Sequence, residues 1–136
     1  MNGGTYSLVI EIPRAIDLSI GALGRQELPA GWYAYTGSAL GSGGFARVDR
    51  HRRVAAGDHD VCHWHVDYLL GHDATAIEDV VRADGRDIEC DVAGALPEGP
   101  VDGFGASDCD CGSHLAHADS RTALRDRIAA AYDSDA

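Results

Sequence analysis

Five side chains spread along the chain have the types that phosphodiester hydrolysis needs: Tyr6, Tyr35, Arg47, His51 and Glu89. A hard divalent cation takes a carboxylate oxygen and keeps water around it, which Glu89 could supply. The transition state gathers negative charge on phosphoryl oxygens, and an Arg held in place stabilises it. The attacking water needs a base. A phenol, with a reference pKa of about 10, serves only beside a cation or guanidinium that favours its phenolate. An imidazole serves more easily near neutrality. Each residue alone also has an ordinary structural explanation: a half-buried strand Tyr, a solvated helix face, an acidic residue at a helix N-terminus.

The elements that must position them follow from the pattern. GTYSLVIEI at 4–12 alternates, is rich in β-branched residues and ends at Pro13, which predicts a strand. Residues 16–28 suggest a second short strand and a turn. GWYAYTGS at 31–38 predicts another strand, and Gly37 just after Tyr35 and Thr36 lets another group approach the backbone closely. The stretch 44–55 predicts a helix that sets Arg47 and His51 four apart on one face. Residues 63–72 are ambiguous: strand spacing aligns His63, His65 and Asp67, helical spacing pairs His63 with Asp67, and Tyr68, Leu69 and Leu70 favour a short helix. A strand over 75–83, a helix over 87–96 opening on Asp87, and a short edge strand at 113–118 follow. The C-terminal segment 120–136 predicts a helix capped by Ser120, with Leu124, Ile128 and Tyr132 as its apolar stripe, ending in a frayed acidic DSDA tail. Together these predict an α+β fold: a small, mostly antiparallel central sheet flanked by helices, in a single domain over 1–136.

Charge narrows the setting. The chain carries 22 acidic residues against 11 basic ones, a net charge of −11, and every basic residue is Arg. Asp outnumbers Glu, 17 to 5. Such a surface suits molar salt, as in halophilic archaea, where a Debye length of about 3 Å makes self-repulsion tolerable. Screening of that kind leaves a nucleic-acid partner open to an acidic protein. The concentrated positive patch is the helix bearing Arg47, Arg50, Arg52 and Arg53, and it is the natural contact for a phosphate backbone. No apolar run approaches the ~20 residues needed to cross a bilayer, and the first residues lack the pattern of a secretory signal. A cytoplasmic protein with no membrane contact is expected.

The order Gly4-Thr5-Tyr6, then Tyr35-Thr36-Gly37, then Arg47 and His51, then Glu89 resembles the GIY-YIG nuclease superfamily. More closely, GTYSLVIEI, GWYAYTGSALGSGGFARVDRHRR, HWHVDYLL, IEC and GFGASDCDCGSHL resemble its Uri-type endonucleases, over about residues 3 to 118. The resemblance implies a three-stranded antiparallel core, here with an extra hairpin, and a metal-dependent endonuclease acting on DNA. It places Tyr6 and Tyr35 at the sheet centre, the first helping to deprotonate the attacking water. It sets Arg47 on the scissile phosphate and His51 beside it as base or phosphate contact. Glu89 becomes the carboxylate that binds Mg²⁺ or Mn²⁺.

The soft ligands allow a competing reading. Cys109, Cys111 and His114, with Cys62, Cys90, His63 and His65, have the chemistry of a zinc site but not the paired spacing of a zinc finger. Zn²⁺ is therefore the lesser expectation, and with it a zinc-stabilised nucleic-acid-binding module. A non-catalytic interaction domain in a repair complex is a further alternative. If Cys62 and Cys90 are core residues instead, Ser107, Asp108 and His114 line the cleft and Cys109 and Cys111 shape its loop. Separately, Asp67 could fix the tautomer of His63 or His65 and so orient the site, or simply form a buried polar pair with it under Trp64.

Overall fold

The fold was obtained as a computed structural model. It describes residues 4–20, 23–38, 46–56, 65–72, 75–84, 88–96, 99 and 114–134, excluding the side chains of 38, 47, 65–67, 84, 90 and 134. Among these, six strands and four helices follow one another along the chain: β1 (Gly4–Ile12), β2 (Ile16–Ser19), β3 (Arg25–Leu28), β4 (Gly31–Ser38), α1 (Ala46–Ala55), α2 (His65–Leu70), β5 (Ala76–Asp84), α3 (Glu89–Ala95), β6 (Leu115–Ala118) and α4 (Arg121–Ser134).

Four strands form an antiparallel sheet in the order β5-β1-β4-β6, and β2 and β3 pair in a separate hairpin. The α+β expectation holds, with β6 adding a fourth strand to the three-stranded core. The hairpin is the expected extra one, with two short strands in a stretch whose residues alone suggest one strand and a turn. Its loop closes through Ile20 and Gly24, and Gly24 takes a left-handed φ of +74° that a side chain would resist.

The central strand β1 is buried almost throughout. Its alternation therefore sorts residues between two cores rather than between core and water. Tyr6, Leu8, Ile10 and Ile12 join Tyr33 and Tyr35 of β4 in one core with Val48 and Val54 of α1, Leu69 and Leu70 of α2, and the hairpin. Val9 and Ala34 face the other way, against Val92 and Leu96 of α3 and Leu124, Ile128, Ala131 and Tyr132 of α4. The sheet is thus the middle layer, with α1 and α2 on one side and α3 and α4 on the other.

Two helix ends differ from expectation. The N-cap of α3 is Ile88 rather than Asp87, which lies outside the described residues; Ile88 makes no side-chain cap, and its N–H donates to Thr5 Oγ1 at 3.1 Å. A tertiary hydrogen bond thus replaces the local one. Helix α4 runs to Ser134, into the segment expected as the acidic tail. The other end of α4 follows the sequence, with Ser120 Oγ accepting the Ala123 N–H at 3.3 Å.

Candidate active site

Strand register brings the two motif tyrosines together. Tyr6 lies opposite Gly37 and Leu8 opposite Tyr35, so both phenols rise from the same face of adjacent strands. Their ring centroids are 6.3 Å apart. The space for Tyr6 exists because its partner has no side chain. A Cβ on Gly37 would stand 2.6 Å from the Tyr6 hydroxyl oxygen and 2.8 Å from Cζ.

Helix α1 crosses above this pair and contributes His51, which is fully buried. Its ring lies 5.6 Å from Tyr6 and 6.1 Å from Tyr35, edge-on to the latter. The Tyr6 hydroxyl and His51 Nε2 share a hydrogen bond of 2.7 Å. In the tautomer with its proton on Nδ1, His51 accepts through Nε2 and the phenol donates. That bond shifts electron density onto the Tyr6 oxygen. Tyr6 is 1% exposed and Tyr35 8%, so Tyr35 stands nearest the solvent in the cluster.

Glu89 comes from the opposite layer, as the first residue of α3. Two backbone ties bring it to the end of the sheet where the tyrosines sit. Its neighbour Ile88 is bonded to Thr5, just before Tyr6. Glu89 Oε2 lies 3.4 Å from Nδ1 of the buried His114, and the His114 carbonyl accepts the N–H of Thr36, just after Tyr35, at 3.0 Å. The separation of 3.4 Å is long for a hydrogen bond and is better read as an electrostatic contact. Tyr6, Tyr35 and His51 thus form one contact cluster, and Glu89 with His114 forms a second group tied to the same two strands.

A quarter of the Glu89 side chain is exposed. A single, partly exposed carboxylate suits Mg²⁺ or Mn²⁺, which bind through one or two carboxylates, substrate phosphates and retained water. Among the described residues there is no cluster of three or more His, Cys, Asp or Glu side chains that could hold a metal. His63, Ser107, Asp108, Cys62, Cys109 and Cys111 lie outside the described residues, as do the side chains of Arg47, His65, Asp67 and Cys90. Arg47 does fall on α1, one turn before His51. Arg52 and Arg53 are exposed in the last turn of α1 and Arg50 is half-buried.

Behind the tyrosines lies a group that the residue pattern did not single out. Ser7 Oγ is 2.8 Å from Thr36 Oγ1 and 2.9 Å from the Tyr132 hydroxyl. In sequence, Thr5, Ser7 and Thr36 look like the polar face of ordinary half-exposed strands. The available signal was the apolar stripe of the C-terminal helix, which needs a sheet face to cover.

The sequence profile of a family described as "Domain of unknown function DUF123" matches residues 5–135. The chain belongs to this family. The DUF123 match takes in all three residues of the aromatic cluster, Glu89, His114 and helix α4. No curated protein and no solved structure matches the chain. Among the described residues of this DUF123 protein, no helix is long and apolar enough to cross a membrane.

Proposed function

We propose that this protein is a divalent-metal-dependent endonuclease that hydrolyses phosphodiester bonds in DNA. The observation that carries the reading is the hydrogen bond between the Tyr6 hydroxyl and His51 Nε2, beside Tyr35 and opposite Gly37. A buried phenol–imidazole pair gives a proton path that neither group offers alone. The resemblance of the ordered motifs to GIY-YIG nucleases supports the same assignment.

In this reading the Tyr6 oxygen accepts a proton from the attacking water while the phenol proton passes to His51 Nε2, leaving an imidazolium. The hydroxide so formed attacks phosphorus, and the departing alkoxide takes up a proton from solvent. Arg47 and Tyr35 hold the phosphoryl oxygens, and Arg50, Arg52 and Arg53 face the flanking backbone. Glu89 would hold the divalent ion, which when bound would supply Lewis-acid stabilisation of the phosphoryl charge. Because Tyr6 is covered in this conformation, substrate binding must open a path to its oxygen past Tyr35.

The test is incubation of the protein with supercoiled plasmid, single-stranded and branched DNA at high KCl, with and without Mg²⁺ or Mn²⁺. Metal-dependent nicking is expected. Absence of cleavage on every substrate with either ion rejects the proposal.

A further inference from the structure

The sheet has a polar spot on the face away from the tyrosines, and it falls directly behind them. Ser7 follows Tyr6 and Thr36 follows Tyr35, and these two hydroxyl residues are register partners across β1 and β4. Ser7 and Thr36 have no exposed surface and Tyr132 is 7% exposed. Of their neighbours on that face, Val9, Ala34, Ala83 and Ala116 are apolar, and Thr5 carries a further buried hydroxyl. We propose that the buried hydroxyl triad Ser7–Thr36–Tyr132 is a positioning element that fixes the register of the two tyrosine-bearing strands, making the C-terminal helix part of the support of the site.

The reasoning is geometric. A slip of two residues keeps every side chain on its own face, so hydrophobic sorting alone resists it weakly. In one direction such a slip places Tyr6 opposite Tyr35, where Gly37 no longer makes room for the ring, and Ser7 opposite Ala34. The same slip sets Thr36 opposite Thr5, whose Oγ1 accepts the Ile88 N–H in the native alignment, while Ser7 faces Ala34 and loses Thr36 in a place where water does not reach. A buried hydroxyl deprived of one of its two partners disfavours that arrangement. Tyr132 extends the selection to α4, because its hydroxyl meets Ser7 when the helix sits in its native place on β1. The polar spot therefore specifies the alignment that holds the Tyr6 oxygen at His51.

The inference rests on the nuclease reading only for its kinetic consequence, and the primary readout is independent of activity. In ¹⁵N-labelled protein, the His51 Nε2 resonance reports its hydrogen bond with Tyr6. Ser7→Ala and Tyr132→Phe are expected to shift or broaden that resonance. Ile128→Val, which thins the packing of α4 but leaves the hydroxyls in place, is expected to leave it at the wild-type position. Thr36→Val, similar in shape, gives the same reading if Ser7→Ala does not fold. In cleavage assays Ser7→Ala is expected to lower kcat by about ten- to a hundredfold with KM unchanged, as for a small misplacement of reacting groups. An unmoved His51 signal in the hydroxyl variants, or an equal movement in Ile128→Val, overturns the proposal. A shifted signal in a protein that cleaves no DNA sustains the positioning role and removes the nuclease reading.

Discussion

The Tyr6 hydroxyl and His51 Nε2 meet at 2.7 Å in the protein interior, joining the central strand to the first helix. Removing one partner leaves the other buried without that bond, which costs about 1–3 kcal/mol. If the pair also moves the proton of the attacking water, Tyr6→Phe lowers kcat by about 10²–10⁴-fold while circular dichroism shows the fold retained. Wild-type turnover in Tyr6→Phe contradicts the assignment.

Gly37 is a steric requirement rather than a flexible joint. Adding one methyl there meets the Tyr6 hydroxyl oxygen at 2.6 Å and Cζ at 2.8 Å, with Tyr35 Cε2 at 3.1 Å. Gly37→Ala is expected to lose about 1–3 kcal/mol of stability, as overpacked sites do, and to lose activity through displacement of the Tyr6 oxygen. Thermal melts and cleavage rates measured together check this. An unchanged melting temperature contradicts the geometry.

Alkaline pH reaches the fold through Tyr33. Its hydroxyl donates to the Pro29 carbonyl at 2.6 Å, and burial pushes its pKa well above the ordinary value of 10.0. A folded-state pKa above the unfolded one contributes stability that is complete below about pH 10 and is lost as pH rises toward the folded value. Denaturant titrations of wild type and Tyr33→Phe should therefore converge in slope below pH 9 and diverge above 10, with the wild type falling faster. Parallel curves across that range contradict the prediction.

Salt dependence follows from a net charge of −11 on 136 residues. Raising KCl from 0.1 to 2 M shortens the Debye length from about 10 Å to less than 3 Å and relieves repulsion in the folded state. The melting temperature is expected to climb over that range. A flat profile contradicts the reading of the acidic surface as an adaptation to concentrated salt.

Strand β1, strand β4 and the C-terminal helix were legible because their apolar spacing is strong and local. The helical choice at 65–70 also matches, on the signal of Tyr68, Leu69 and Leu70. What escaped depended on partners distant in sequence. The start of α3 is set by Thr5, 83 residues upstream of Ile88. The extra hairpin was expected, but residues 16–28 taken alone suggested just one short strand and a turn, because each of its strands has only four residues. Burial of β1 on both faces could not be read from Thr5 and Ser7, since short hydroxyl side chains sit equally well in water and in a satisfied core. The aromatic cluster was suggested by type and order, but the Tyr6–His51 bond required the register of β1 with β4 and the placement of α1. In sequence, His51 looks like one of several polar groups on a basic helix; in the fold it is turned inward beneath its neighbours Arg52 and Arg53.

The most direct measurement is metal-dependent cleavage of supercoiled plasmid by wild type and Glu89→Gln, compared at matched KCl over a Mn²⁺ titration. The amide keeps the size of the carboxylate and removes its charge. The account predicts nicking by the wild type that rises with Mn²⁺, and a loss of more than about a hundredfold in Glu89→Gln with an unchanged melting temperature. Equal rates for the two proteins would contradict it.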